Sequence, residues 1–198
     1  MLKGENTRKH IIAKSAELFN QRGYAGSSLS DITELTGIKK GGIYRYFASK
    51  DEIAVEAYQY AGSIVGSKIN EALDREPTAM GKLLVYLRVY ENVVEAPPFV
   101  GGCPLLNLAT ESDDGHPVLR EQARQGLART LDAMKEIISE GVQSGEFKAD
   151  LNIDALATFT LSVMEGGIML SKLEGDNRHV RMNIENLTAY LKGMCLRK

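Results

Sequence analysis

The chain has 198 residues, 43% of them hydrophobic and 25% charged, with 19 glycines, 5 prolines and 2 cysteines. That is too apolar for intrinsic disorder and too poor in Gly and Pro for a collagen-like or low-complexity polymer. Two cysteines make neither a disulfide framework nor a four-ligand zinc site. The net charge of −2 hides an asymmetry: Met1 to Lys50 carries nine Lys and Arg against four Asp and Glu, +5, and the remainder 15 against 22, −7. A basic head on an acidic body implies that the head alone meets a polyanion. The most apolar stretch, Leu156 to Leu170, is broken by Thr158, Thr160, Ser162 and Glu165, so no transmembrane helix and no membrane partner is expected. Met1 to Thr7 lacks an apolar signal core, which makes the cytoplasm the expected location.

In chain order, Thr7 is placed to cap a first helix in which Ile11-Ile12, Ser15-Ala16 and Leu18-Phe19 recur at helical spacing, and Gly23 to stop it. Ser28-Leu29-Ser30-Asp31 reads as a capping box opening a second helix that carries Ile32 and Leu35 and ends at Thr36-Gly37. A tight turn follows, and the run from Lys39 to Phe47 begins a third helix. Two short helices joined by a glycine-containing turn form a helix-turn-helix. Ser49-Lys50-Asp51-Glu52 starts a fourth helix, acidic in its first turn, that runs to about Leu73. Pro77 is expected at the first position of a fifth, with Met80, Leu83, Leu84, Leu87 and Tyr90 spaced at three and four. Pro97 to Pro104 is a break, followed by helices from Pro104 and from Pro117, the latter to about Gly141. Gly145 separates these from a long apolar helix, Ile153 to about Leu173, and a last helix spans about Val180 to Met194. With no repeat and no alternating pattern the fold class is all-α, divided into a head of residues 1–50 and a body of residues 51–198.

The third helix carries the chemistry. Lys39 and Lys40 at its start suit phosphates or base edges, Gly41 and Gly42 admit a close backbone approach, and Tyr44, Arg45 and Tyr46 reach backbone or bases. Ile43 and Phe47 face inward onto Ile32 and Phe19, the division between a packed and a reading side that a recognition helix needs. Ser28 stands at a helix N-terminus that suits a phosphate, and Lys50 begins the next helix. From Ile11 to Ile53 the chain resembles the tetracycline-repressor (TetR) family of bacterial regulators. The likeness lies in Arg22-Gly23-Tyr24, Ser27-Ser28-Leu29-Ser30-Asp31-Ile32, Thr36-Gly37-Ile38, Lys40-Gly41, Ile43-Tyr44, Phe47 and Ser49-Lys50-Asp51. The resemblance implies that Ser28, Lys40, Tyr44 and Lys50 contact phosphates and that Lys39, Gly42, Arg45 and Tyr46 lie at or near base edges. Gly42 stands where the family usually has Ser or Thr, which leaves Lys39 and Arg45 as the readers.

Past about Tyr58 the resemblance implies only a helical domain for ligand binding and dimerisation. Leu156, Thr160, Val163, Gly167 and Leu170 share one face of the penultimate helix, and Ile184, Leu187, Leu191 and Met194 one face of the last. Gly166-Gly167 inside a helix costs about 1 kcal/mol each against Ala and points to another helix coming close. Both stripes are expected to form a homodimer interface, although internal packing accounts for the same pattern. Pocket candidates are Tyr60, Tyr86, Tyr90, Phe99, Met134, Phe159, Met164 and Met169, all equally readable as core. Cys103, before Pro104 at a helix start, sits where the dipole favours a thiolate. Gly102-Cys103 ahead of Asn107-Leu108-Ala109 is similar to a TetR subgroup with members that sense electrophiles or oxidants; a buried structural thiol is the other reading. Glu111, Asp113, Asp114 and His116 match no metal-ligand spacing and read as an exposed turn. The expected function is a homodimeric, ligand-responsive repressor on a palindromic duplex operator, with an unidentified small-molecule or electrophile inducer. No cofactor and no catalysis are expected. The alternatives are a helical cytosolic enzyme or a protein-binding adaptor; against an enzyme, there is no phosphate loop, no Gly-x-Ser-x-Gly elbow, no His-Glu-x-x-His, and only His10, His116 and His179.

Overall fold

A computed structural model describes residues 2–196. The helices are α1 (Leu2–Arg22), α2 (Leu29–Thr36), α3 (Lys40–Ile43), α4 (Lys50–Leu73), α5 (Ala79–Arg88), α6 (Pro104–Ser112), α7 (Pro117–Gln143), α8 (Ile153–Glu174) and α9 (Arg178–Tyr190), ending in a π-helical turn, Leu191–Cys195. Among the described residues the only β-pairing is an isolated antiparallel bridge, Phe147 to Leu196. The fold is all-α, as expected.

Three boundaries differ from the expected ones, each for a local reason. The first helix starts at Leu2 rather than at Thr7, with Glu5 in its first turn favouring the positive end of the dipole and pairing with Lys9 at 2.8 Å. The helix after Pro77 starts at Ala79 because Thr78 takes the cap, its hydroxyl oxygen accepting from Gly81 N at 3.0 Å. The Glu146 carboxylate accepts from the next two orphan amides, Ala79 N and Met80 N, at 2.7 and 2.9 Å. The third helix is a single turn, Lys40–Ile43, followed by a hydrogen-bonded turn at residues 44–46. Two adjacent glycines, each about 1 kcal/mol poorer than Ala in a helix, keep it short.

The chain packs as two compact units, Met1–Val65 with Phe99–Gln125 and Gly66–Pro98 with Gly126–Lys198. Residue 50, the expected boundary between head and body, is therefore not a packing boundary: α6 and the start of α7 belong to the unit that contains the head. That unit's core is Ile11, Leu18, Ile32, Ile43, Phe47 and Ile53, with Ile12, Phe19, Leu29, Ile38 and Tyr46 packed against it. Each fully buried Ile there contributes about 1.5–3 kcal/mol over its exposed state.

In the other unit α5 and α9 pack on α8. By length and composition alone α8, 22 residues long with an 18-residue window of mean hydropathy 1.4, is apolar enough to cross a membrane, a character it shares with core helices, and 39% of that window is buried within the chain. Its apolar surface divides in two. Leu156, Ala157, Thr160, Leu161, Met164, Gly167, Ile168 and Ser171 are buried within the chain, whereas Phe159, Met169, Leu170 and Leu173 are exposed. A Cβ added at Gly167 would stand 2.8 Å from Asn183 Nδ2 and 3.3 Å from Val180 Cα, so the helix it admits is α9 of its own chain. At Gly166 an added Cβ meets nothing within 4 Å.

Candidate nucleic-acid interface

The head is held by caps that its sequence encodes locally. Ser28 Oγ accepts from Asp31 N at 3.2 Å while Asp31 Oδ2 accepts from Ser28 N at 2.6 Å and from Ser28 Oγ at 2.5 Å, a complete capping box. Those bonds, the hydroxyl's first, hold the Asp31 carboxyl below its usual range. Gly37 ends α2 at φ +69, a left-handed conformation that favours glycine. Together they aim α3.

Around α3 the side chains sort by environment. Ile43 and Phe47 are buried, and Lys39, Lys40, Tyr44 and Arg45 are exposed. Among the described residues none of Lys39, Lys40 and Arg45 is in an ion pair; the Lys40 ammonium lies 5.9 Å from the Tyr44 ring centroid. Gly41 faces open space, whereas a Cβ at Gly42 would stand 2.8 Å from Ile38 Cγ2, so the small residue at Gly42 answers to Ile38. Tyr46 differs from its expected role as a base-edge residue: it is half-buried, packs on the head core, and has its hydroxyl 3.6 Å from a Cβ built at Gly4.

The turn between α1 and α2 gathers side chains from distant parts of the chain. Lys50, expected at a phosphate, donates from Nζ to Tyr24 O at 2.5 Å and sits 3.8 Å from the Tyr24 ring centroid. Burial holds its ammonium below the ordinary value, with Glu111 and Asp51 pulling the other way. Tyr24 donates its hydroxyl to Asp51, and burial followed by that bond pushes its phenol up to about 12. His116 Nε2 lies 3.5 Å from the same Asp51 Oδ1, while its Nδ1 accepts from Leu119 N at 3.4 Å. From α6, Glu111 accepts from Tyr24 N and Ala25 N at 2.7 Å each. The acidic run that could have suggested a metal is thus dispersed: Glu111 binds amides, His116 meets Asp51, and Asp113 and Asp114 lie in an exposed turn.

Asn20 carried no sequence signal, and Asn107 and Glu111 none that pointed to these contacts. Their roles depend on separations of 80 to 87 residues, which no local spacing encodes.

Several expectations for the body need correction. Leu156, Thr160, Gly167, Leu187 and Leu191 are buried within one chain and cannot form an outer face; Val163 and Ile184 are partly buried, and Leu170 is exposed. The side chain of Met194 lies outside the described ones. The apolar stripe that faces out lies a step around α8 from the expected one, at Phe159, Met169, Leu170 and Leu173, and Met182 and Tyr190 of α9 are exposed as well. Phe159, whose ring meets that of Tyr190 at a tilt with 5.0 Å between centroids, and Met169 are both exposed. Tyr86, Tyr90, Met134 and Met164 are buried in the unit that holds α8; Phe99 and Cys103 are buried in the other, where Tyr60 is exposed. A crevice of about 390 Å³, open to solvent, lies between α1, α4 and α6 and is lined by none of the pocket candidates. Cys103 is the N-cap of α6, as expected, and 4% exposed.

Comparison with known proteins agrees with this architecture. Residues 11–57 match the family described as bacterial regulatory proteins, tetR family, and residues 79–187 match the tetracyclin repressor-like C-terminal domain. A TetR transcriptional regulator from Chloroflexus aurantiacus is 35% identical, with each chain covered over 100% and a TM-score of 0.95. A TetR-family regulator from Cytophaga hutchinsonii is 33% identical over 99% of this chain and 98% of that one, with a TM-score of 0.93. The transcriptional repressor DhaR of a Mycobacterium species is 27% identical over 168 residues, 84% of this chain and 83% of its own. A capped helix-turn-helix and a helical body, matched over residues 11–57 and 79–187, lead to one assignment: the chain belongs to the tetR family of bacterial regulatory proteins and is a DNA-binding transcriptional regulator.

Proposed function

We propose that the chain acts in the cytoplasm as a homodimeric repressor that holds a palindromic operator until a small-molecule or electrophile inducer releases it. Residues 1–50 supply the DNA contacts and residues 51–198 the inducer response and dimer. One observation carries the reading: Lys39, Lys40 and Arg45 stand exposed, outside every ion pair among the described residues, beside Ile43 and Phe47, which are buried. Such cations favour a polyanion and need no other described group to be explained. Lys40, Tyr44, Ser28 and Lys50 hold phosphates, and Lys39 and Arg45 meet base edges. Repression is supported by the likeness to DhaR, a transcriptional repressor. The dimer is supported by the exposed apolar face of α8 and α9, which a second copy would cover.

Selection of bound sites from a random duplex pool with the full-length protein tests this. The expected sites are inverted half-sites about one helical turn, roughly 10 base pairs, apart. Lys40→Ala weakens binding to all sequences alike and lowers the salt slope by about 1 per site. Arg45→Ala costs about 1–3 kcal/mol at particular bases and relaxes preference there. A protein that sediments as a monomer and selects nothing overturns the proposal.

A further inference from the structure

The Gly101-Gly102-Cys103-Pro104 segment and the helix after it are bound to the head by more than packing. Asn107 and Glu111, one turn apart on α6, both reach the C-terminal end of α1. Asn107 Nδ2 donates to Asn20 O, Asn20 Oδ1 and Gly101 O, at 3.0 Å each. Asn20 Nδ2 in turn donates to Val100 O at 2.7 Å and Gly102 O at 3.2 Å. At Gly101 a Cβ would stand 2.4 Å from Asn20 O, so the two backbones meet. The Glu111 carboxylate then takes the Tyr24 and Ala25 amides at 2.7 Å each, and Gly23, at φ +77, leaves no room for a Cβ, which would stand 2.8 Å from Glu111 Oε1. The turn from Gly23 to Ser27 is moulded around a carboxylate from α6. That turn also accepts Lys50 Nζ at Tyr24 O, and Ser28 follows it directly.

We propose that Glu111, seconded by Asn107, is a positioning residue for DNA binding: α6 sets the α1–α2 turn and thereby the two phosphate ligands attached to it, Ser28 and Lys50. This rests on the DNA-binding reading above. It also opposes simple electrostatics, by which removing a carboxylate from a DNA-binding head would tighten binding.

The test measures the affinity of the full-length protein for its own selected duplex. Glu111→Gln retains one acceptor and loses the other, and lowers affinity on the order of tenfold, the scale of one charge-assisted hydrogen bond. Glu111→Asp keeps the charge, is one methylene too short to span both amides, and falls comparably. A double-mutant cycle separates positioning from loss of structure. Lys50→Ala costs little further in the Glu111→Gln background, whereas Lys40→Ala costs its full amount in both. Tighter binding by Glu111→Gln, wild-type affinity in Glu111→Asp, or full additivity with Lys50→Ala overturns the positioning role while leaving DNA binding intact. Should Glu111→Gln not fold, the Glu111→Asp cycle decides on the same criteria. A wild-type protein that selects no duplex overturns the DNA-binding reading itself, and the positioning role with it.

Discussion

Tyr24 is tied from three sides. Its hydroxyl donates to Asp51, its carbonyl accepts from Lys50, and its ring meets the His116 ring edge-on at 4.9 Å. Its phenol, pushed up to about 12, holds its proton more tightly in the folded chain than in the unfolded one, where it titrates near 10. The contribution to stability is therefore complete below about pH 10 and is lost as the pH climbs through about 12. Tyrosinate absorbance, compared between wild type and Tyr24→Phe, should isolate one phenol titrating near 12, and wild-type urea midpoints should fall over that interval more steeply than those of the variant. At the same scale, the role of Ser28 as a cap was legible because a capping box is complete within four residues. The packing of Tyr46 on the head core and beside Gly4 was not legible, because those neighbours are set by the fold.

Elements show the difference between periodicity and facing. Apolar spacing placed α8 to within a residue, yet it could not say which of its apolar stripes meets its own chain, since a helix apolar around most of its girth has no unique inner face. The two adjacent glycines resolve it. Gly167→Ala drives a methyl into Asn183 and Val180 and should cost about 1–3 kcal/mol in urea unfolding. Gly166→Ala, with nothing within 4 Å of the new Cβ, should leave the unfolding free energy undiminished, since Ala is the better helix former. Equal losses at both positions would contradict the packing of α8 on α9. The shortness of α3 has the reverse origin: Gly41 and Gly42 inside it weaken the helix locally.

For the whole molecule, the proposed dimer would cover the exposed apolar face of α8 and α9. Leu173 is 81% exposed, more than any other large apolar side chain of the described residues. In a two-fold dimer each substitution counts twice, and burial of one Leu is worth about 1.5–3 kcal/mol, so Leu173→Glu should weaken the dimer about 10²–10⁴-fold. Sedimentation should show monomers with unchanged helicity, and the selected palindrome should be bound no better than a single half-site. Retention of a dimer would place the interface elsewhere.

By itself the order of residues determined the helical class, the head with its caps, and the exposed cations on the third helix. Each of these rests on interactions spanning at most one or two turns. Only tertiary structure decided that α6 joins the head, that Glu111 holds the α1–α2 turn, that Lys50 engages Tyr24, and that α8 turns Leu156 inward and Leu173 outward. Those contacts link residues dozens of positions apart or choose between faces of equal apolarity, and such choices are settled only when all the helices compete for the same core.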